Sequence, residues 1–189
     1  MRPRVRVYVR QARGGTPFAK QVWHVLRDSR GWGRVVRFEP AVNMQQADVI
    51  IALVPHEEMR RTFLSIQRPD MVGMSATWMR HAPEPSVVWL NESRWRFGPE
   101  RAVRVTTDAG AAIPSAAARL ATYRTYLVNH EVGHALGLGH APPRGGQCSI
   151  MTQQTRLLPK RATFRAWPET RALLGVAHAK TRGTTRESA

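Results

Sequence analysis

His130-Glu131-Val132-Gly133-His134-Ala135-Leu136-Gly137-Leu138-Gly139-His140 is the stretch on which the reading of this chain turns. Residues four apart on an α-helix share a face, so His130 and His134 project side by side at a separation that one tetrahedral metal ion can bridge. Glu131 is rotated about 100° from His130. That puts its carboxylate beyond bonding range of the metal but near a water bound to it. A third ligand is still needed, and a continued helix would carry His140 away, so the chain must turn sharply after His134. Gly137 and Gly139 permit the turn, because glycine accepts positive φ without a Cβ penalty.

Three neutral imidazoles with one position left for solvent is the composition of a catalytic zinc site, since structural sites are usually closed by four protein ligands. Zinc lowers the pKa of its water toward about 7, and Glu131 is placed to take the proton and return it to a leaving amine. The expected chemistry is amide hydrolysis, with one Zn²⁺ as cofactor and Glu131 as the catalytic residue. Two plainer readings stand beside it: a helix with incidental histidines, and a site that binds metal and turns nothing over. An intact Glu131 argues against the second, because a purely structural site has no use for that carboxylate.

The stretch resembles the metzincin zinc metallopeptidases, whose pattern His-Glu-x-x-His-x-x-Gly-x-x-His is matched by His130, Glu131, His134, Gly137 and His140. The resemblance implies a methionine in a tight turn beneath the histidines, and Met151 in Cys-Ser-Ile-Met-Thr-Gln-Gln-Thr is the candidate. Pro142, Pro143, Gly145 and Gly146 supply the loop between. More narrowly, Tyr123–His140 and the Met-Thr-Gln-Gln-Thr stretch resemble a metzincin-like family common in actinobacteria. Implied with it is an α+β fold: a mixed twisted sheet, an active-site helix and a small C-terminal subdomain. The fourth strand is then the antiparallel edge that pairs with an extended substrate, and Gly73–Trp78 is the candidate; an ordinary edge or core strand fits those residues equally. Two departures are visible. Ala141 follows His140, where several metzincin branches carry a distinguishing residue, and Gln153 stands where some branches place a tyrosine that assists the transition state.

At 189 residues the chain fits one domain, with an upper subdomain over about 1–137, a lower one over about 138–180 and a tail from 181 to 189. A single cysteine, Cys148, excludes an intrachain disulfide. It reads either as a small buried hydrophobe or as a fourth, thiolate ligand that would silence the zinc. No segment reaches the roughly eighteen apolar residues of a transmembrane helix. Met1–Arg10 lacks an apolar run of signal-peptide length, although the resemblance leaves export open. The chain reads as a soluble monomer.

The net charge of +16 is terminal: residues 1–37 carry ten basic and one acidic side chain, residues 38–143 ten of each, and residues 144–189 nine and two. Only Lys20, Lys160 and Lys180 are lysine among 29 basic residues, an arginine dominance that compositional bias explains most simply. Such a surface still attracts polyanions. A catalytically idle, zinc-stabilised module whose basic ends bind nucleic acid is therefore the alternative to a peptidase acting on peptide or protein substrates.

Periodicity places the remaining elements. Val5, Val7 and Val9 alternate with polar residues as in a half-buried strand. Thr16 and Pro17 open a helix that runs through Val22, Trp23 and Leu26 to Gly31. Val35–Phe38 is a short strand, and Asp48–Val54 a central one buried on both faces and ended by Pro55. Met71–Trp78 and Val87–Leu90 are two more, flanked by Pro83 and Pro85. Ser115 caps the zinc helix. Leu120, Tyr123 and Leu127 lie on the histidine side and Ala121, Val128, Val132 and Ala135 opposite, so the helix is expected to be buried all round; Tyr123 is read as core packing. Thr152–Thr155 are expected to border the pocket beyond the cut bond. Pro168–Ala179 forms a closing helix with Leu173, Leu174 and Ala177 apolar and His178 on the surface, and Thr181–Ala189 a frayed tail.

Overall fold

The computed structural model describes residues 2–10, 16–80, 83–99, 105–154 and 163–184. Alternating valines make β1 (Arg4–Arg10) a strand whose Val5 and Val7 enter the core while Arg4 and Arg6 face solvent. Helix α1 (Thr16–Arg27) buries Phe18, Val22, Val25 and Leu26, one stripe at helical spacing. The cap expected at Thr16 lies outside the described side chains.

The helix stops four residues short of Gly31. Asp28 accepts the backbone N–H of Arg30 at 2.8 Å, a local bond that competes with helix continuation. A 3₁₀ turn over Trp32–Arg34 follows, and the amides of Val35 and Val36 both donate to the Trp32 carbonyl. Those valines are thereby held out of the ladder, and β2 spans Arg37–Pro40, two residues later than the apolar run suggested.

Strand β3 (Val49–Val54) lies at the centre of the sheet and is buried on both faces, as expected. Ile51 joins the main core with α1, whereas Ala52 and Val54 pack with Met59 and Phe63 on the other face. Those two belong to α2 (His56–Ser65), a helix the sequence reading missed. It follows Pro55 directly, carries Glu57 and Glu58 in its first turn, where they complement the helix dipole, and buries only two side chains. The expected strand over Met71–Trp78 shrinks to β4 (Ala76–Trp78), because Pro69–Met71 forms a 3₁₀ turn and Gly73 adopts φ +84°. Strand β5 (Ser86–Asn91) ends in a short helix, α3 (Glu92–Phe97), also unanticipated. The Asn91 side chain caps it by accepting the amides of Ser93 and Arg94.

The sheet order is β2-β1-β3-β5-β4. The first four strands are parallel, and β4 is the antiparallel edge, with Thr77 opposite Val88. The long helix α4 (Ala116–Ala135) packs on β4, β5 and α1. Ser115 caps it as expected, accepting the Ala118 amide at 3.2 Å. Burial is not uniform along it. Ala116–Arg119 and Ala121 are exposed, and only from Tyr123 onward does the helix enter the core, so the expectation of an all-round buried helix holds for its second half alone.

Helix α5 (Thr170–Thr184) begins two residues after Pro168 and continues into the predicted tail. Leu173 and Val176 are buried, but Leu174 points to solvent. The side chain of His178 and residues 185–189 lie outside the described residues. Among the described residues, no helix is long and apolar enough to cross a membrane.

Candidate metal centre

The end of α4 sets the site. The Gly137 amide donates to the His134 carbonyl and the Leu138 amide to Gly133, with Gly137 at φ +97°, a left-handed closure that reverses the chain. Gly139 does not adopt positive φ, so one glycine makes the turn. His140 is thereby brought back to the helix. Ligand atoms of His130, His134 and His140 all lie within 4.8 Å of one another, a cluster capable of coordinating a metal ion.

The ring orientations are fixed from behind. His130 Nδ1 lies 2.8 Å from the Ile150 carbonyl and His134 Nδ1 2.7 Å from that of Leu138. A carbonyl only accepts, so both Nδ1 atoms carry the proton and both Nε2 lone pairs remain for a cation. Nε2 of His134 and Nε2 of His140 are 3.1 Å apart. Burial, assisted by the neighbouring imidazoles, pushes His130 down to about 3, and burial lowers His134 and His140 as well. All three rings are thus held in the neutral, ligating form, and the donor set fits zinc.

Glu131 is 5% exposed, and burial pushes its carboxyl up to about 7 against the opposing hydrogen bond from Thr77. The Thr77 hydroxyl lies 2.7 Å from Glu131 Oε2 and 3.0 Å from the Glu131 carbonyl. Thr77 sits on β4. Its neighbours Ala76 and Trp78 face the second core, so strand alternation aims Thr77 at α4. Among the described residues Glu131 Oε1 has no hydrogen-bond partner, and the residue lines a cleft of about 230 Å³ together with the three histidines, Thr77 and Gln153.

Met151 is buried beneath the helix. A Cβ added at Gly133 would overlap its sulfur, so the absence of a side chain there lets the methionine reach the helix between the two histidine turns. The Ala141 amide donates to the Met151 carbonyl at 3.0 Å, tying the third-histidine loop to this turn. Cys148 is buried and is not a member of the histidine cluster. Tyr123 is buried, and its ring centroid lies 6.2 Å from that of Tyr126. Gln153 borders the cleft, while Thr155 lies outside the described residues.

Sequence reasoning missed several supporting residues. Tyr126 donates its hydroxyl to the Thr152 carbonyl and accepts the Gln154 amide. Gln154, fully buried, binds both backbone groups of Arg165 and the Ser149 carbonyl. Glu169 accepts from the Ser149 hydroxyl and the Ile150 amide. Only spatial neighbours reveal these roles. Thr77 alone had a signal, an alternating residue in the proposed edge strand.

The α+β scaffold thus carries a three-histidine cluster, running from buried His130 to exposed His140, that is capable of coordinating a metal ion. Residues 5–174 match the family described as "Protein of unknown function (DUF3152)", and the chain belongs to that family. No curated protein matches the sequence. Among solved structures the chain is similar to archaemetzincin from Methanopyrus kandleri, at 13% identity and a TM-score of 0.46, over 96% of this chain and 97% of that one.

Proposed function

We propose that this protein is a zinc-dependent peptidase in which His130, His134 and His140 hold the metal and Glu131 moves the proton. Glu131 is the observation that carries the reading. A buried carboxylate that lines the cleft beside three neutral imidazoles, with one oxygen bonded to Thr77 and no further hydrogen-bond partner among the described residues, is placed for proton transfer. When bound, zinc supplies a Lewis acid that acidifies water and polarises a carbonyl. Glu131 Oε1 accepts the proton released on attack and hands it to the leaving amine, a role suited to a carboxyl poised near neutral pH. Thr77 holds Oε2 so that Oε1 keeps one orientation. Strand β4, at the sheet edge, offers its outer backbone groups to an extended peptide. Gln153 borders the cleft, as do Tyr123 and Tyr126.

The polyanion reading finds less support at the N-terminal end of the chain. Arg4 and Arg37 share Glu39, Arg6 pairs with Asp48, Arg10 with Glu58 and Arg30 with Asp28, so four acids offset much of the charge of these five arginines. Scattered, paired arginines are what compositional bias produces.

Metal analysis of the purified protein should give close to one zinc per chain, and His130→Ala, His134→Ala or His140→Ala should each lower that occupancy sharply. Glu131→Gln should keep the zinc while cleavage of an unbiased peptide library falls roughly 10²- to 10⁴-fold. A zinc-loaded wild type that cleaves no member of the library, or a Glu131→Gln protein that cleaves at the wild-type rate, would overturn the peptidase.

A further inference from the structure

A second cavity, of about 380 Å³, adjoins the cleft at His140, which lines both. Its walls come from the loop after His140, the segment around Arg165 and the start of α5. Arg144, Arg165 and Arg171 bring three guanidinium groups to it, against the single carboxylate of Glu169. Both Glu169 oxygens are already engaged, by the Ser149 hydroxyl at 2.6 Å and the Ile150 amide at 3.1 Å.

Several arginines elsewhere are neutralised locally. Arg6, Arg30, Arg60, Arg68 and Arg96 each touch a carboxylate. Among the described residues none pairs with Arg144, Arg165 or Arg171. Arg165 is also aimed: its Nε donates to the Cys148 carbonyl at 3.0 Å, and its backbone is fastened on both sides by Gln154. Three positive groups lining one cavity, with the Glu169 carboxylate alone to offset them, repel one another, and a bound anion relieves that repulsion. A guanidinium fork matches a carboxylate in two parallel bonds. The walls carry an excess of about two charges, which suits one or two carboxylates better than a run of phosphates.

We infer that this cavity is the subsite in which a peptide substrate places an acidic side chain, on one flank of the bond held at the metal centre. The inference rests on the peptidase reading and names its substrate class as acidic peptides.

The test separates the two. Zinc-loaded Glu131→Gln protein, which binds without cutting, is titrated by fluorescence anisotropy with a labelled alanine-rich octapeptide carrying two central glutamates, and with the same peptide carrying glutamines. The glutamate peptide should bind at least tenfold tighter. Adding Arg144→Gln and Arg171→Gln, both at exposed positions, should bring the two affinities within about twofold while zinc content stays at one per chain. Cleavage of the library by the wild type should show Asp and Glu enriched on one side of the cut. Equal affinities for the two peptides, or a preference that survives the arginine substitutions, would overturn the inference. Cleavage without acidic preference would overturn it and leave the peptidase standing; arginine-dependent acidic binding with no cleavage would do the reverse. Displacement of the glutamate peptide by a short single-stranded DNA of higher, steeply salt-dependent affinity would replace the acidic peptide with a polyanion.

Discussion

The parallel sheet and the segment that runs beneath the histidines are held together by different means. Strands β3 and β5 match residue for residue from Val49 opposite Ser86 to Val54 opposite Asn91, and apolar side chains from α1 and α4 cover one face of the sheet. Between His140 and Gln154 no strand forms, and the nearest thing to a ladder is a pair of isolated bridges, Arg144 with Gln147 and Gln147 with Thr163. There the backbone is fastened by single side chains: Thr152 to the Ala141 carbonyl, Tyr126 to Thr152, Gln154 to Arg165, Glu169 to Ile150. A ladder is redundant, and a set of single fastenings is not. The histidine cluster depends on both kinds, since His130 is oriented by the Ile150 carbonyl in this segment and His134 by the Leu138 carbonyl in the backbone-bonded turn that ends α4.

The largest effect on stability is expected where the second kind is cut. Gln154→Ala leaves the buried amide and carbonyl of Arg165 and the carbonyl of Ser149 without partners, each costing about 1–3 kcal/mol, so a loss on the order of 3 kcal/mol by urea unfolding is expected. Zinc occupancy should fall with it, because Ser149 and Ile150 form the turn behind His130. A loss under 1 kcal/mol would mean that the segment is held by something other than this side chain.

Gly133→Ala tests the junction of the two regions. Helix propensity alone favours alanine by about 1 kcal/mol. The new methyl, however, must displace the Met151 sulfur and also comes within 3.1 Å of Trp32, itself fully buried. Overpacking of this kind costs roughly 1–3 kcal/mol, so the net change should be destabilising by about 1 kcal/mol. Combining it with Met151→Ala should cost less than the sum of the two single changes. A stabilised Gly133→Ala protein would show that the methionine yields easily.

In the sheet the same magnitude is reached by plain volume loss, without consequence for the site. Ile51→Val removes one methylene from a fully buried position of β3, for about 1 kcal/mol. Zinc content and any peptide cleavage should stay at wild-type levels. A drop in zinc content would join the sheet core to the metal centre more tightly than the contacts suggest.

The same division explains what the sequence disclosed. Periodicity reads redundant apolar packing, so β1, the centre of the sheet and the start of α4 at Ser115 were found close to their observed places. It passed over α2, whose burial rests on Met59 and Phe63 alone, and overextended Met71–Trp78, where Gly73 bends the run. The clustering of the three histidines was legible because one shared metal ion would fix both residue type and spacing. The role of Gln154 was not, and Thr77 was visible only as one residue of the proposed edge strand. Each works through hydrogen bonds, Thr77 to Glu131 and Gln154 to Ser149 and Arg165, that no local pattern records.

Asp28 is a fastening of the single-bond type set within the first region, and it should give the smallest change. Its carboxylate accepts the Arg30 amide at 2.8 Å and pairs with the Arg30 guanidinium, which in turn lies over the Trp167 ring at 4.3 Å. The hydrogen bond from the Arg30 side chain holds the Asp28 carboxyl below its ordinary 3.8, against the opposing effect of burial. A depressed carboxyl adds stability above its unfolded pKa and loses it as pH falls through the folded value. Asp28→Asn keeps an acceptor for the Arg30 amide but removes the charge. Because the Arg30 side chain is 64% exposed, the pair is well screened, and the expected cost at pH 7 is only about 0.5 kcal/mol. Urea midpoints taken from pH 7 downward should show the two proteins converging below about pH 4, where protonated Asp28 resembles asparagine. A gap that stays constant to lower pH would mean that Asp28 ends α1 through shape and the amide bond alone, and that its ion pair contributes nothing measurable.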